Sequence, residues 1–451
     1  MNLYTLLQKH HVEQGPLRVG LIGAGKFGTM FLAQALRTKG LHVAAIADLD
    51  PGKVKDNLKS IGWDGAQINA ATLNQAITTG ATCVLEDAAS LIESPKVDVV
   101  IEATGHPPTA ITHAKLALSQ GKHLVMVSVE ADALAGPLLA REFAAAGLVY
   151  SLAYGDQPAL IAEQVDWARA CGLSVVAAGK GTKYLPHFHA STPETVWRYY
   201  GLSESEAAAG GMNPQMFNSF LDGTKSAIEM AAVANACDLA VAPEGLAFPP
   251  CGTDSLPEVL KPAAVGGTLA QYGQVEVISS LERDGSPVAQ DLRWGVFVVF
   301  EAPSDYVARC FKEYGLITDR SAQFSALYKP YHLIGLELGI SVLSAGLRGE
   351  ATGAPRAFRG DVVAVAKRDL LPGEVLDGEG GYRVWGKLFP ASQSIRIGAL
   401  PIGLAQGITI KRRVPAGSPL CWEDVNLDPS DPVVKLRRDM EKTCLDADQV
   451  A

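Results

Sequence analysis

One short apolar run ending in three spaced glycines limits what this chain can fold into more than any other feature. Residues 17–28 read LRVGLIGAGKFG, with glycines at 23, 25 and 28, and TMFLAQALRT follows with apolar residues at helical spacing. Gly-x-Gly-x-x-Gly between a strand and a helix is the corner on which a dinucleotide's pyrophosphate is held. Gly23 makes the tight turn, Gly25 lets the backbone approach the phosphates, and Gly28 lets helix and strand pack closely. The helix N-terminus, with Lys26 and Phe27 in its first turn, offers free N–H groups and partial positive charge to the phosphates. A glycine-rich turn without a ligand is the alternative, and the surrounding strand–helix–strand pattern argues against it.

Asp48 lies at the end of the next apolar run, HVAAIAD (42–48), 20 residues past Gly28. A carboxylate there accepts bonds from the adenosine ribose hydroxyls and repels a 2′-phosphate. The expected cofactor is NAD or NADP, with Asp48 favouring NAD. A solvated turn acid in DLDPGK is the other reading of Asp48, and Lys53 or Lys55 could hold a phosphate.

Further apolar runs, VDVVIEATG (97–105), KHLVMVSVE (122–130) and LVYSLAYG (148–155), alternate with helical patterns that end in glycine. Such alternation predicts a doubly wound parallel sheet, a Rossmann domain, over 1–155. Thr104, Gly105 and Glu130 then fall at the carboxyl edge beside the cofactor, and His106 precedes a loop-shaping Pro-Pro pair. Residues 156–352 read as an α+β substrate domain: a helix at 158–171, strands at 173–181 and 294–302, and helices over 220–238 and 331–349. The tail, 353–451, repeats itself. AKRDLLPGEVLDG (366–378) and IKRRVPAGSPLCWEDV (410–425) each give a basic pair, an apolar step, a Pro/Gly turn and an acidic landing. Two such halves predict a small β-rich domain with pseudo-twofold symmetry. It resembles the SAF domain, the β-clip module that ends sialic acid synthase-like proteins.

Among 451 residues, 48% are hydrophobic and 19% charged, and the net charge of −9 argues against nucleic acid as a partner. The seven cysteines form no CxxC pair, which fits reduced thiols rather than a disulfide framework. MNLYTLLQKHHVEQG lacks the pattern of a signal peptide, and no apolar stretch reaches the roughly 20 residues that span a bilayer. The expectation is a cytoplasmic protein with a small-molecule substrate and no membrane partner. The 331–349 helix has more apolar positions than one face needs, which predicts a homodimer or homotetramer.

Hydride transfer to a carbonyl needs a proton donor and positive charge near the developing alkoxide. Three stretches supply such groups: YGDQPAL with Asp156 and Gln157, AGKGTKYLPHFH with Lys180 and Lys183, and FLDGTKSAIEM with Asp222, Lys225 and Glu229. Glycines on both sides of Lys180 suggest a backbone left open for a ligand. Lys225 and Glu229 also suit an ordinary i,i+4 surface pair, and Asp222 a helix cap. His187 and His189 have metal-ligand spacing, but no further ligands stand out, and no metal site is expected; a divalent-metal requirement stays open.

The chain resembles homoserine dehydrogenase-like oxidoreductases through GLIGAGKFG, DVVIEATG and GKHLVMVSVEAD. More closely it resembles the 1-deoxy-D-xylulose 5-phosphate reductoisomerase-like proteins, through LIGAGKFGT, VMVSVEAD, YSLAYGDQP, AAGKG, FLDGTKSAIEMAAVANA, KPYHL (329–333) and AKRDLLPGE. The resemblance implies carbon-skeleton isomerisation coupled to reduction by NADPH, in isoprenoid biosynthesis. On this chain, residue type assigns Lys180 and Lys225 to the substrate's anionic end. Asp156, Gln157, Asp222 and Glu229 then serve its hydroxyls and protons, and His332 lines the pocket. Asp48 departs from an NADPH-dependent pattern and points to an NAD-dependent dehydrogenase or oxidoisomerase. A plain homoserine-type or sugar-acid dehydrogenase and a non-catalytic NAD-responsive module are the competing readings.

Overall fold

The apolar runs of the N-terminal region pair side by side, as their burial on both faces demands. In the computed structural model, which describes residues 2–448 with side chains through Thr443, they form β1 (Leu17–Ile22), β2 (Leu41–Ala47), β3 (Cys83–Leu85), β4 (Val99–Glu102), β5 (His123–Met126) and β6 (Tyr150–Leu152). All pairings are parallel, in the order β3-β2-β1-β4-β5-β6. This is the Rossmann order, which places a ligand crevice at the carboxyl ends of β1 and β4. β3 escapes the hydrophobic pattern because two of its three residues are partly exposed.

By contacts, the chain groups into two compact units rather than three domains. The first holds residues 1–160 and 332–356, and the second 161–331 and 357–451. The tail is therefore not separated from the middle of the chain, and the 332–356 segment returns to the Rossmann unit. That return changes the reading of the 331–349 helix. Only Gly339–Arg348 is helical, and Leu338, Val342, Leu343 and Ala345 join the core formed by Leu17, Val19, Val99 and Val125. A Cβ on Gly346 would stand 2.7 Å from Leu17, so the glycine lets this helix lie directly on the sheet. Within Gly339–Arg348 the apolar side chains pack inside this unit, while Tyr331, Leu333 and Leu336 before it stay exposed.

The Rossmann unit also buries an acid. Asp132, in the first turn of the helix Val129–Ala145, is fully buried and accepts a bond of 2.9 Å from the Tyr150 hydroxyl; its Oδ2 has no partner among the described residues. Burial pushes its carboxyl up to about 7, against the lowering pull of Tyr150. The unfolded chain ionises this group near 3.8, so the folded state loses stability as pH rises from about 4 to about 7, by up to about 4 kcal/mol. Thermal unfolding compared at pH 5 and pH 8 should show a smaller fall for Asp132→Asn than for the unaltered chain.

In the second unit, β7 (Ser174–Thr182) pairs parallel with β8 (Gln274–Ser279) and antiparallel with β9 (Val296–Glu301), which pairs antiparallel with β10 (Phe324–Lys329). The expected single helix over 220–238 is broken: one helix ends at Leu221 and the next spans Thr224–Cys237, with Gly223 between them at φ +93°. Nearly every residue of Thr224–Cys237 is buried, as an Ala-rich helix packed on more than one side requires. Two strands of the tail, β11 (Gly360–Ala366) and β13 (Val384–Pro390), flank it. Asn235 Nδ2 donates to Gly360 O at 3.1 Å, and Gly386 N donates to Thr224 Oγ1 at 2.8 Å. Between and beyond these lie β12 (Val375–Asp377), β14 (Gln406–Ile410) and β15 (Val425–Asn426), which form a three-stranded sheet.

The two repeated stretches of the tail pair with each other. Leu370 N donates to Val414 O and Val414 N returns the bond to Leu370 O. Ala366 N donates to Ser418 O while Ile410 N donates to Glu374 O, and Gly417 N donates to Ala366 O while Gly373 N donates to Ile410 O. Each bond maps onto its mate by exchanging residues 44 apart, as 366 with 410. The halves are thus related by a local two-fold, and the Asp369–Arg413 ion pair lies one step from it. The six cysteines with described side chains are free thiols; Cys444 lies outside the described side chains. Among the described residues no helix is long and apolar enough to cross a membrane.

Candidate functional site

In the Rossmann unit the glycine loop runs from the end of β1 into the helix Lys26–Ala35. Gly23 sits at φ +88°, and a Cβ there would stand 2.5 Å from Ala103 O. A Cβ on Gly28 would stand 2.5 Å from Gly23 O, so turn and helix touch through that glycine. Gly25 has nothing within 4 Å of where a Cβ would be. Two glycines serve packing and the third faces open space, which is the division of labour that a pyrophosphate site requires. Lys26 is exposed beside it, and Phe27 is partly buried.

Asp48 follows β2. Its Oδ2 accepts a bond of 2.8 Å from Ala24 N in the glycine loop, and its Oδ1 accepts one of 3.1 Å from Asp50 N. The carboxylate is therefore pinned to the loop it serves, and is not a loosely solvated turn acid.

The carboxyl end of β4 holds a network that the sequence pattern did not reveal. Glu102 is fully buried; Oε1 accepts from Thr104 Oγ1 at 2.6 Å, and Oε2 accepts from Ser128 Oγ at 2.6 Å. Ser128 Oγ in turn accepts a bond of 2.9 Å from Gly105 N. Glu102 thus fixes the loop carrying Thr104 and Gly105. An acid inside the apolar run VDVVIEATG was the available signal. β5 stops at Met126, so Glu130 lies not at a strand end but in the first turn of the helix Val129–Ala145, and Ser128 takes the place expected of it. His106 Nδ1 pairs with Thr109 Oγ1 at 2.8 Å at the start of the next helix.

Asp156, Gln157 and His332 also belong to the Rossmann unit. Asp156 Oδ1 accepts from Gln157 N at 2.9 Å, and the buried Gln157 reaches His332, Nε2 to Nδ1, at 3.5 Å. Gly335, at φ +71°, lets the His332 loop pack on the glycine-loop helix, since a Cβ there would stand 2.5 Å from Phe27 O.

The second unit holds the lysines. Lys180, on β7, is buried and ion-paired with Glu229 of the helix Thr224–Cys237. The glycines beside it do not leave its backbone open to a ligand. A Cβ on Gly179 would stand 1.7 Å from Glu276 O, and one on Gly181 would stand 2.0 Å from Leu292 O. They let neighbouring backbone close in. Glu229 is likewise no surface group, since it is 4% exposed and engages Lys180. Lys225, in the first turn of the same helix, is partly buried.

Asp222 departs from its expected role. It is fully buried, with Oδ1 accepting from Thr224 N at 2.9 Å and Oδ2 from Lys367 Nζ at 2.8 Å. Lys367 also donates to Ser191 O and Gly381 O, each at 2.7 Å. All three ammonium hydrogens are spent, so this pair ties the tail to the 191 and 222 loops, with the Asp222 carboxylate shut away from solvent. Burial raises the Asp222 carboxyl even against Lys367. His189 is also committed: Nδ1 pairs with Asp222 O at 2.7 Å and Nε2 with the Tyr184 hydroxyl at 3.0 Å, which takes it out of any His-x-His ligand pair.

With this geometry in view, residues 19–148 match the family model for the homoserine dehydrogenase NAD binding domain, and residues 155–338 match that for the catalytic domain of oxidoreductase DRL. By domain content the chain joins an NAD binding domain to an oxidoreductase catalytic domain. Comparison of the chain with curated proteins found no significant match. Similar solved structures include an NAD binding oxidoreductase from Klebsiella pneumoniae, at 22% identity over 39% of this chain and 47% of that one, with a TM-score of 0.27. Myo-inositol dehydrogenase from Lactobacillus casei is 17% identical over 40% of this chain and 50% of that one, with a TM-score of 0.29. Biliverdin reductase from Synechocystis sp. PCC 6803 is 19% identical over 38% and 48%, with a TM-score of 0.23. The chain spans about half the length of these structures, and likeness at such scores carries no argument.

Proposed function

We propose that this oxidoreductase passes a hydride between NAD and a small, anionic, polyhydroxylated carbonyl compound. The observation that carries the cofactor choice is Asp48, held by Ala24 N at the edge of the glycine loop. A carboxylate fixed there accepts ribose hydroxyls and repels a 2′-phosphate. When bound, the nicotinamide donates or accepts the hydride. The chain's own residues do the rest. Backbone N–H groups from Gly25 to Gly28 hold the pyrophosphate, and Glu102 keeps the Thr104–Gly105 loop in one place. Lys180 gives a proton to the substrate oxygen as that oxygen gains negative charge, and Glu229 fixes the ammonium's direction. Lys183 and Lys225 hold the substrate's anionic end.

The resemblance to reductoisomerase-like proteins supports a 1-deoxy-D-xylulose 5-phosphate-type substrate, rearranged before reduction to 2-C-methyl-D-erythritol 4-phosphate. The local two-fold in the tail supports the SAF-like reading of that segment. Asp48 instead supports an oxidation with retained connectivity, as in a sugar-acid dehydrogenase. The near-ultraviolet absorbance of reduced nicotinamide, followed with either coenzyme across phosphosugars and sugar acids, tests the reading. Isotopic labelling of the product skeleton then separates isomerisation from hydride transfer alone. Asp48→Ser should raise KM for NAD about tenfold or more and narrow its advantage over NADP. If the unaltered enzyme prefers NADP, the NAD assignment is wrong.

A further inference from the structure

Beyond the groups already assigned, one cation at the Lys180 end of the four-stranded sheet has no acid to answer it. Arg293 lies in the turn before β9, held against β7 because Gly181 leaves room: a Cβ on Gly181 would stand 2.0 Å from Leu292 O and 3.0 Å from Arg293 N. Its guanidinium carbon is 5.9 Å from the Tyr200 ring centroid and 4.7 Å from that of Trp294. Lys183, just past β7, places its Nζ 5.7 Å from the same Tyr200 ring and donates to Tyr199 O. Among the described residues, no carboxylate forms an ion pair with either cation, and the side chain of Arg293 makes no hydrogen bond. Burial, and then the charge of Arg293, lower the Lys183 ammonium from its usual value.

Lys183 and Arg293 are half-buried, and they differ from the unit's more deeply buried cations, each of which has an acid. Lys180 has Glu229, Lys261 has Asp319, Lys367 has Asp222, and Arg437 has Asp361 and Glu441. Two positive charges held around one aromatic ring without a counter-charge repel each other, and the fold tolerates that cost where an anion offsets it. We propose that Lys183 and Arg293, braced by Tyr200, bind a tetrahedral dianion of the phosphoryl type. A guanidinium presents a planar fork of donors and an ammonium a compact point charge, a pairing suited to the several oxygens of one phosphoryl group. A carboxylate, with one charge and two oxygens, leaves one cation unanswered. The proposal rests on the function above only for which molecule carries the group.

Trp294 gives a direct reading, since its ring is 61% exposed and in contact with the Arg293 guanidinium. Tryptophan fluorescence and calorimetry of the full chain, titrated with inorganic phosphate, glycerol 3-phosphate and acetate, test the site without turnover or cofactor. Saturable binding of both phosphates, at least tenfold tighter than acetate, is expected. Arg293→Ala and Lys183→Ala should each weaken phosphate at least tenfold, and Trp294→Phe should remove the fluorescence change but keep the heat. Tighter binding of glycerol 3-phosphate than of inorganic phosphate identifies a substrate's ester; the reverse identifies free phosphate. Equal affinity for acetate, no heat with either phosphate, or unchanged affinity in a folded Arg293→Ala protein overturns the proposal. Those results would leave hydride transfer, assayed separately, untouched.

Discussion

Replacing Lys180 by methionine should lower kcat/KM by about 10² to 10⁴ and destabilise the second unit by about 3 to 5 kcal/mol. The stability loss follows from burial: Glu229 is 4% exposed and its partner would be gone, leaving a carboxylate without water or counter-charge. The activity loss follows from removing the proton donor. The two are separable because a buried ion pair and a well-packed apolar pair of similar volume often differ little in stability. Lys180→Met combined with Glu229→Leu should therefore recover most of the lost unfolding free energy and none of the turnover. Denaturant unfolding and steady-state kinetics on the three proteins decide the matter. If the double variant turns over within a few-fold of the unaltered enzyme, Lys180 is a structural ion-pair partner and the proton donor lies elsewhere.

The three loop glycines should fail in different ways. Gly28→Ala forces a Cβ to 2.5 Å from a backbone oxygen, so the helix must move off the turn and the loop's N–H groups with it. A displacement of about 1 Å costs about 10² in a positioned interaction, and NAD affinity should fall by that order. Gly23→Ala adds a φ of +88° to a clash with Ala103 O, and should cost the fold about 3 kcal/mol as well. Gly25→Ala meets nothing within 4 Å and sits at φ −65°, so the protein should fold and melt normally. Its methyl group instead occupies the approach to the phosphates, and coenzyme titration should show affinity lost without stability lost. Equal coenzyme affinity in Gly25→Ala and the unaltered chain would remove the pyrophosphate from this corner.

The parallel sheet was legible because local rules agree along that stretch. Five of its six strands are apolar runs buried on both faces, each bounded by glycine or a helical pattern, and the sixth, β3, is partly exposed at two of its three residues. The glycine loop was legible for the same reason, since its function is a property of the backbone. The tail's repeat was also visible, and the cross-pairing of residues 370 and 414 is its direct consequence. The lysine cluster was legible only as residue types. Nothing local distinguishes Asp222, tied down by Lys367 from 145 positions away, from Glu229, placed against Lys180 from 49 positions away. Glu102, Lys367 and Arg293 escaped because their partners are remote in the chain.

Sequence alone determined the glycine corner after the first strand, the place of Asp48 after the second, and the alternation that builds a doubly wound sheet. These depend on neighbours within a few residues, where backbone geometry and burial period act directly. Only the tertiary structure decided that residues 332–356 rejoin the first unit and that the glycines around Lys180 admit backbone rather than ligand. It alone decided which acids neutralise which cations. Charge pairing and close packing depend on distance in space, and the chain's order does not contain that distance.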